Sequence, residues 1–250
     1  MSIAEKLTTV AENVPKVYDA GYFKGQRDGW EEGNAEGWIN GRAEFYNEFW
    51  DSYDTITNFV ALFAGRMWND TTFKPKNDIV AKNQANMMFY NNACTNIKQS
   101  LIDSGVSLDL SQATQANQTF CFCRTTELPK IDLSNATSLN ATFQSATQLV
   151  SIDGLVLKEG VNFANTFSDL PNLENITIYG WISGSGFDIH WSTKLSADSL
   201  ESIIESLDDG AYGKTITLPI TAQSNYEAAY GEHSWAFLVS TKPNWTINYM

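Results

Sequence analysis

Few side chains in this 250-residue chain stand at spacings that chemistry needs. Asp132 and Asp153 fall in neighbouring copies of a short motif, and two carboxylates flanking one bond are what glycoside hydrolysis uses. The same pair reads more simply as solvated strand positions on an acidic surface. His190 lies near Asp188 and Ser192, but three polar residues in one turn-rich stretch are commonplace, and His233 is isolated. Cys121-Phe122-Cys123 alternates, which in a strand would set both thiols on one face. With Cys94 they make three, and a metal site would need further ligands that only the two distant histidines offer. Neither Gly-x-x-x-x-Gly-Lys-[Ser/Thr] nor Gly-x-Ser-x-Gly occurs. The Asn-x-Thr triplets at Asn117, Asn140 and Asn175 match glycosylation acceptors, and without an export signal they read as turn chemistry. These residues lead to no catalytic group, no metal ligand and no cofactor, and so to a binding or structural role.

The elements that position them come from a repeat. Leu108-Asp109-Leu110-Ser111-Gln112-Ala113-Thr114 returns as Ile131-Asp132-Leu133-Ser134-Asn135-Ala136-Thr137. Behind each copy comes Asn117-Gln118-Thr119-Phe120, then Asn140-Ala141-Thr142-Phe143; the Thr-Phe pair recurs at Thr166-Phe167, and a weaker copy lies at Asn86-Met87-Met88-Phe89. A period in the range of about 20–29 residues is that of a solenoid, whose units bury their apolar edges only by stacking on one another. A Leu-x-x-Ile-x-Leu core follows each Phe: Leu128, Ile131, Leu133; then Leu149, Ile152 and, less regularly, Leu155; then Leu173, Ile176, Ile178. The alternation at Ile131/Leu133 and Ile176/Ile178 predicts short strands with one face inward, and each Phe is expected to fill the space between layers from the far side. The Asn and Thr before each Phe are expected to satisfy backbone groups in the turns.

Both ends of such a stack need covers. The apolar run 58–65, anchored by Trp68, Phe73 and Pro75, is expected to close one end. A helical turn around Ile97, Leu101 and Ile102 follows. Beyond Gly180 the pattern predicts a strand and turn over 181–187, a helix from Ser196 with Leu200, Ile203, Ile204 and Leu207 inward, a strand at 215–218, a helix from Glu227 to Thr241 stopped by Pro243, and a strand at 245–249. The resulting expectation is an α/β chain. It comprises residues 1–54 as an N-terminal helical stalk, 55–107 as an opening cap with a degenerate repeat, 108–180 as the repeat core and 181–250 as a C-terminal α/β cap.

The stalk rests on a separate pattern. Ser2 and Glu5 suit a capping box, and Pro15 suits the first position of a second helix reaching about Tyr53. Along that helix Gly21, Gly25, Gly29, Gly33, Gly37 and Gly41 recur every four residues, and the same phase continues as Phe45 and Phe49. Six interior glycines cost on the order of 5 kcal/mol relative to alanine, so a lone helix would not carry them. Small residues at that spacing let a second backbone approach closely, which points to an oligomer interface. The other reading is a flexible tether whose period reflects tandem duplication.

Sixteen Lys and Arg against 29 Asp and Glu give a net charge of -13, which repels phosphate backbones, and nucleic acid is not an expected partner. No window is apolar enough to span a membrane. The start, Met-Ser-Ile-Ala-Glu-Lys-Leu, has no basic opening and no apolar run, so no secretory signal is expected, and reduced thiols are the default.

Leu128-x-x-Ile131-x-Leu133-x-x-Ala136, the Thr-Phe pairs, Leu195-Ser-Ala-Asp-Ser-Leu-Glu-Ser-Ile-Ile204 and Lys242-Pro-Asn-Trp-Thr-Ile247 together resemble bacterial leucine-rich repeat proteins of the BspA-like type, over roughly residues 80–250. The opening, Ile3 to Asn13 followed by Lys16 to Gly21, is similar to that of small proteins encoded in structural regions of phages and prophages of gut Firmicutes. The resemblance implies a short leucine-rich-repeat solenoid with a parallel β-sheet, a C-terminal helix–strand cap and the glycine-striped stalk. It implies adhesion or virion structure and supplies no catalytic residues. On that basis the chain is expected to be a non-enzymatic phage virion component of tail, baseplate or fibre. The stalk would join it to itself, as a homo-oligomer such as a trimer, and to other virion proteins. The repeats would bind a host-surface protein or glycan through outward strand residues Lys130, Asp132, Ser151, Asp153, Asn175 and Thr177. The alternatives are a bacterial surface adhesin of the same repeats and a glycan hydrolase.

Overall fold

The computed structural model describes residues 49–51, 53, 59–184 and 186–250. The expected glycine-striped helix, with Gly21, Gly25, Gly29, Gly33, Gly37, Gly41 and Phe45, lies outside the described residues. The described chain is mixed α/β with parallel sheets. Its strands are β1 (Ile79–Val80), β2 (Leu108–Asp109), β3 (Glu127–Leu133), β4 (Ser151–Leu157), β5 (Asn175–Tyr179), β6 (Lys214–Leu218) and β7 (Trp245–Tyr249). Its helices are α1 (Ile97–Ser104), α2 (Ala197–Glu205), α3 (Ala222–Tyr230) and α4 (Ser234–Ser240). β1 pairs with β2, β3–β4–β5 form one sheet in that order, and β6 pairs with β7; every pairing is parallel.

Opposite the strands the chain makes five like turns, or rungs, centred on Phe63, Phe89, Phe120, Phe143 and Phe167. Each of these rings is fully buried. Successive rings lie 5.2, 5.2, 5.6 and 5.8 Å apart, and each of the three middle rings is within 8° of parallel with the next of the three. Sequence reading found the last four rungs; the first, at Phe63, carries Leu62 where the others have Thr or Met, and no Asn marks it. Its ring is covered in turn by Trp50, 5.8 Å away and stacked.

Backbone hydrogen bonds explain why the rungs stack. In every rung but the last, the N–H groups two before the Phe, at the Phe and two after it donate to the next rung. Gln118, Phe120 and Phe122 donate to the carbonyls of Asn140, Thr142 and Gln144, and Ala141, Phe143 and Ser145 to those of Ala164, Thr166 and Ser168. The intervening N–H groups close turns within their own rung, as Thr142 does on Leu139 and Gln144 on Ala141. That alternation puts the residues two before and two after each Phe in the left-handed region. These are Ala61, Met87, Gln118, Ala141 and Asn165 before, with φ of 54–56°, and Gly65, Asn91, Phe122, Ser145 and Asp169 after. A side chain there costs about 1–2 kcal/mol per residue, which the inter-rung bonds must offset.

The expected roles of Thr and Asn hold. Thr119, Thr142 and Thr166 are buried, and the Thr142 hydroxyl, 2.7 Å from the Ala116 carbonyl and 2.8 Å from that of Leu139, ties its own rung to the one before. Thr119 and Thr166 bond in the same way across their rungs. The Asn117 carboxamide oxygen accepts from the Asn140 N–H. The two cysteines expected on one strand face sit instead in turns of the third rung; both are buried.

α1 is capped by Asn96, which accepts from the Gln99 N–H, and ends at Gly105 with φ 67°. It buries Ile97 and Leu101, whereas Ile102 is 60% exposed. α2 covers the sheet edge: the Ser199 and Ser202 hydroxyls accept the N–H groups of Ile176 and Ile178, so these two donors on the free edge of β5 have partners. Its inward Leu200, Ile203, Ile204 and Leu207 are fully buried, as their spacing predicts. The expected helix from 227 to 241 is two helices. α3 already starts at Ala222, and Gly231 at φ 93° with His233 at φ 68° breaks the path before α4. Among the described residues 181–184 and 186–187 no strand forms; Ile182 makes a single bridge to Leu207.

Phe49, expected on the oligomer interface, is instead buried within its own chain. It lies 5.1 Å from Trp68 and 5.9 Å from Phe63, beside Trp50 and Tyr53, so a division at 54/55 passes through one aromatic cluster.

Candidate functional site

The outward face of β3–β4–β5 carries the six residues singled out for binding, all at half-buried or exposed strand positions. Parallel register aligns Glu127, Ser151 and Asn175 across the three strands, and Lys130 beside Gly154. β3 and β4 keep one register throughout, and both carry one residue more than β5, whose register against β4 shifts between Ile152 and Leu155. The extra residue explains why Leu155 stands off the Ile-x-Ile spacing of β5, and the shifted stretch carries Asp153 and Gly154.

Gly154 matters for its missing side chain. A Cβ there would sit 2.7 Å from Cε2 of Tyr179 and 3.2 Å from Cγ of Lys130. The Tyr179 ring therefore lies over the sheet at Gly154, with the Lys130 ammonium 4.5 Å from its centroid. On the other side of the face, Lys98 from α1 reaches Asp153 at 2.8 Å and Glu127 at 3.8 Å. The hydrogen bond that Lys98 donates to Asp153 raises the Lys98 pKa above its ordinary value. Between these two clusters Ser151, Asn175 and Thr177 offer hydroxyls and an amide, and Asn175 and Thr177 are exposed.

Asp132 stands on the same face, in register with Val156 and through it with Tyr179, but is held locally. Its carboxylate accepts from the Ser134 N–H at 2.9 Å and closes the turn after β3, as Asp109 does for Ser111. Asp132 and Asp153 are thus engaged separately, one in a turn and one in an ion pair. Lys98, Glu127 and Tyr179 were missed by sequence reading, because nothing local signals a partner 55 residues away. Gly154 left a trace, since it falls in the irregular third copy.

The other candidates resolve individually. His190 Nδ1 lies 2.6 Å from Asp188 and the ring tilts against Trp191, while the buried Ser192 hydroxyl donates to the Leu170 carbonyl, so the three do not form a relay. Burial pushes the Cys94 and Cys121 thiols up to about 11 and that of Cys123 to about 12. Among the described residues no group of His, Cys, Asp and Glu could hold a metal ion, and no helix is long and apolar enough to cross a membrane.

The face offers fixed charge, neutral hydrogen-bonding groups and an aromatic edge on a rigid sheet, which suits reversible binding. Comparison of the chain with protein-family models, curated proteins and solved structures found no match.

Proposed function

We propose that the chain is a non-enzymatic phage virion component, in the tail, baseplate or fibre, that presents a short leucine-rich-repeat solenoid to a host-surface protein or glycan. The observation that carries this reading is the stack of like rungs. Repeated turns with one bonding pattern hold β3, β4 and β5 side by side, and their outward residues make one face, as solenoids do. The virion setting rests on the resemblance of the opening residues, and the glycine-striped helix supplies the link to further copies and to other virion proteins. Lys130, Ser151, Asp153, Asn175 and Thr177 form the binding face, joined by Lys98 and Tyr179.

The test is binding of the labelled full chain to whole cells of candidate gut Firmicutes hosts. Asn175→Arg and Thr177→Arg, both at exposed positions, are expected to abolish binding without altering the melting temperature. Binding that survives both changes refutes the face. The stalk is tested by comparing the mass in solution of the full chain with that of a chain beginning at Phe45, which keeps Phe49, Trp50 and Tyr53. Two monomers would refute it.

A further inference from the structure

β7 is the outer strand of the pair it forms with β6. On its other side β6 meets residues 187–189: Thr217 donates to the Phe187 carbonyl and accepts from the Ile189 N–H. Toward β7, the Leu218 carbonyl accepts from the Met250 N–H, and the Met250 carbonyl accepts from Ile220. In a parallel ladder those bonds turn the even-numbered residues of β7 toward β6. The N–H and C=O groups of Ile247 and Tyr249 therefore point away from it. Among the described residues nothing pairs with them. The Trp245 N–H is not part of this open row, since it closes a turn on the Lys242 carbonyl.

A free edge is ordinarily blunted by a lysine, a proline, a bulge or a covering segment. β5 has a cover in the Ser199 and Ser202 hydroxyls. Among the described residues β7 has none. Its Trp-Thr-Ile-Asn-Tyr sequence holds no charge and no proline, and its register against β6 is unbroken. Large apolar side chains gather where it ends. Tyr249 is 44% exposed, Met250 65% and Ile220, bonded to Met250, 73%. The Trp235 Nε1–H donates to the Tyr249 hydroxyl at 3.0 Å and holds that ring beside the edge. An open backbone row flanked by exposed apolar side chains is what a strand-to-strand contact buries.

We propose that β7 pairs antiparallel with β7 of a second copy, so that two chains share one sheet in the order β6–β7–β7–β6. The register follows from the groups that are open. Because the Trp245 N–H is taken, the register that uses the whole row sets Ile247 opposite Tyr249 of the second copy, and Tyr249 opposite its Ile247. Each pair exchanges both N–H···O bonds, and Asn248 falls on the two-fold axis. One face then sets a β-branched side chain beside an aromatic one. On the other face Asn248 meets its own copy and Thr246 meets Met250, so no like charges are opposed. This self-match favours a second copy over an unrelated strand. The net charge of -13 on each chain opposes the approach at long range, and salt screens that repulsion.

Sedimentation equilibrium of the full chain follows mass up to about 1 mM, the range of weak association. Any oligomer formed by the N-terminal glycine stripe is common to all variants and sets the base mass. Pairing through β7 is expected to double it, more readily as salt rises from about 0.05 to 0.5 M. Asn248→Lys and Asn248→Asp, both at an exposed position, each set like charges across the axis. Each is expected to weaken the doubling roughly three- to tenfold while the melting temperature is kept. An equimolar mixture of the two variants is expected to restore it, because a lysine then faces an aspartate. The Ile247 and Tyr249 amides are expected to exchange slowly in the doubled species and fast below it. The proposal is overturned by a mass that never doubles, even where a strand of another protein takes the edge. It is overturned equally by charged variants that double like the unaltered chain, or by a mixture that doubles no better than either variant alone. Slow exchange of both amides in the undoubled chain also overturns it, since a segment of the same chain then covers the edge.

Discussion

Replacing Phe143 with alanine tests the stack at its centre. The ring is fully buried and sandwiched between Phe120 at 5.6 Å and Phe167 at 5.8 Å, nearly parallel to both. Removing a buried phenyl ring costs about 3–5 kcal/mol when the surroundings cannot collapse. Here they cannot, because the rungs that carry the neighbouring rings are each bonded through the backbone to the Phe143 rung. For a chain of this size each kcal/mol corresponds to about 2–4 °C, so the melting temperature should fall by roughly 6–20 °C. Phe122→Ala is the internal control. It lies two residues after Phe120, is 46% exposed and touches the Tyr90 ring at 5.7 Å, so its loss should cost no more than about 1 kcal/mol. Urea unfolding followed by near-ultraviolet circular dichroism measures both. If the two changes cost the same, or if Phe143→Ala costs under about 1 kcal/mol, the phenylalanine column does not hold the rungs together.

Three further perturbations address the rung itself and the cap. Thr142→Val keeps the shape and removes the hydroxyl; the Ala116 and Leu139 carbonyls retain other donors, so the loss should be near 1 kcal/mol by urea unfolding, and Thr142→Ser should restore part of it. Ala141→Gly relieves a left-handed alanine at φ 56° against a glycine entropy cost of about 0.5–1 kcal/mol, so its midpoint should stay level or rise, whereas Gly at position 142 should lower it. The Tyr230 hydroxyl donates to Asp198 at 2.6 Å, and that bond raises its pKa from 10.0 to about 12. The folded pKa lies above the unfolded one, so this contribution is complete below pH 10 and is lost as pH rises toward 12. In phenolate absorbance, the step removed by Tyr230→Phe should lie near 12, and Asp198→Asn should bring it down toward 10.

The repeat was legible because its layer-filling residues are distinctive. A Thr-Phe pair preceded by Asn can be counted along a sequence. The first rung was not, since Phe63 sits among Val60, Leu62 and Ala64, an apolar run that reads as a cover. Nor was the backbone of the rungs. Met87, Gln118, Ala141 and Phe122 carry none of the usual marks of left-handed positions, because their conformation is imposed by the bonding row and not by local preference. The strands were legible from alternation, except where β3 and β4 carry one residue more than β5. The outward face was legible as a set of positions, and its organisation was not. Asp132 belongs to a turn, Lys98 reaches the face from α1, and Glu127 and Tyr179 stand at the ends of its own strands β3 and β5. The joint between α3 and α4 was hidden because the helical spacing of Trp235, Leu238 and Val239, all within α4, extends back to Glu227 without a proline to break it.

The one-way bonding between rungs has a consequence for how such a chain can change. Every inner rung accepts at three carbonyls and donates from three N–H groups at matching places around its Phe. A rung is therefore interchangeable: one inserted or deleted as a unit presents the same contacts to both neighbours. Length becomes a free variable in this architecture, while the two ends, built on Trp50 and on α2, are each made once and have no substitute within the chain. Duplication of a 23-residue unit should then be tolerated in the middle of the stack, and a single-residue insertion there should not, since it would turn every left-handed position out of phase.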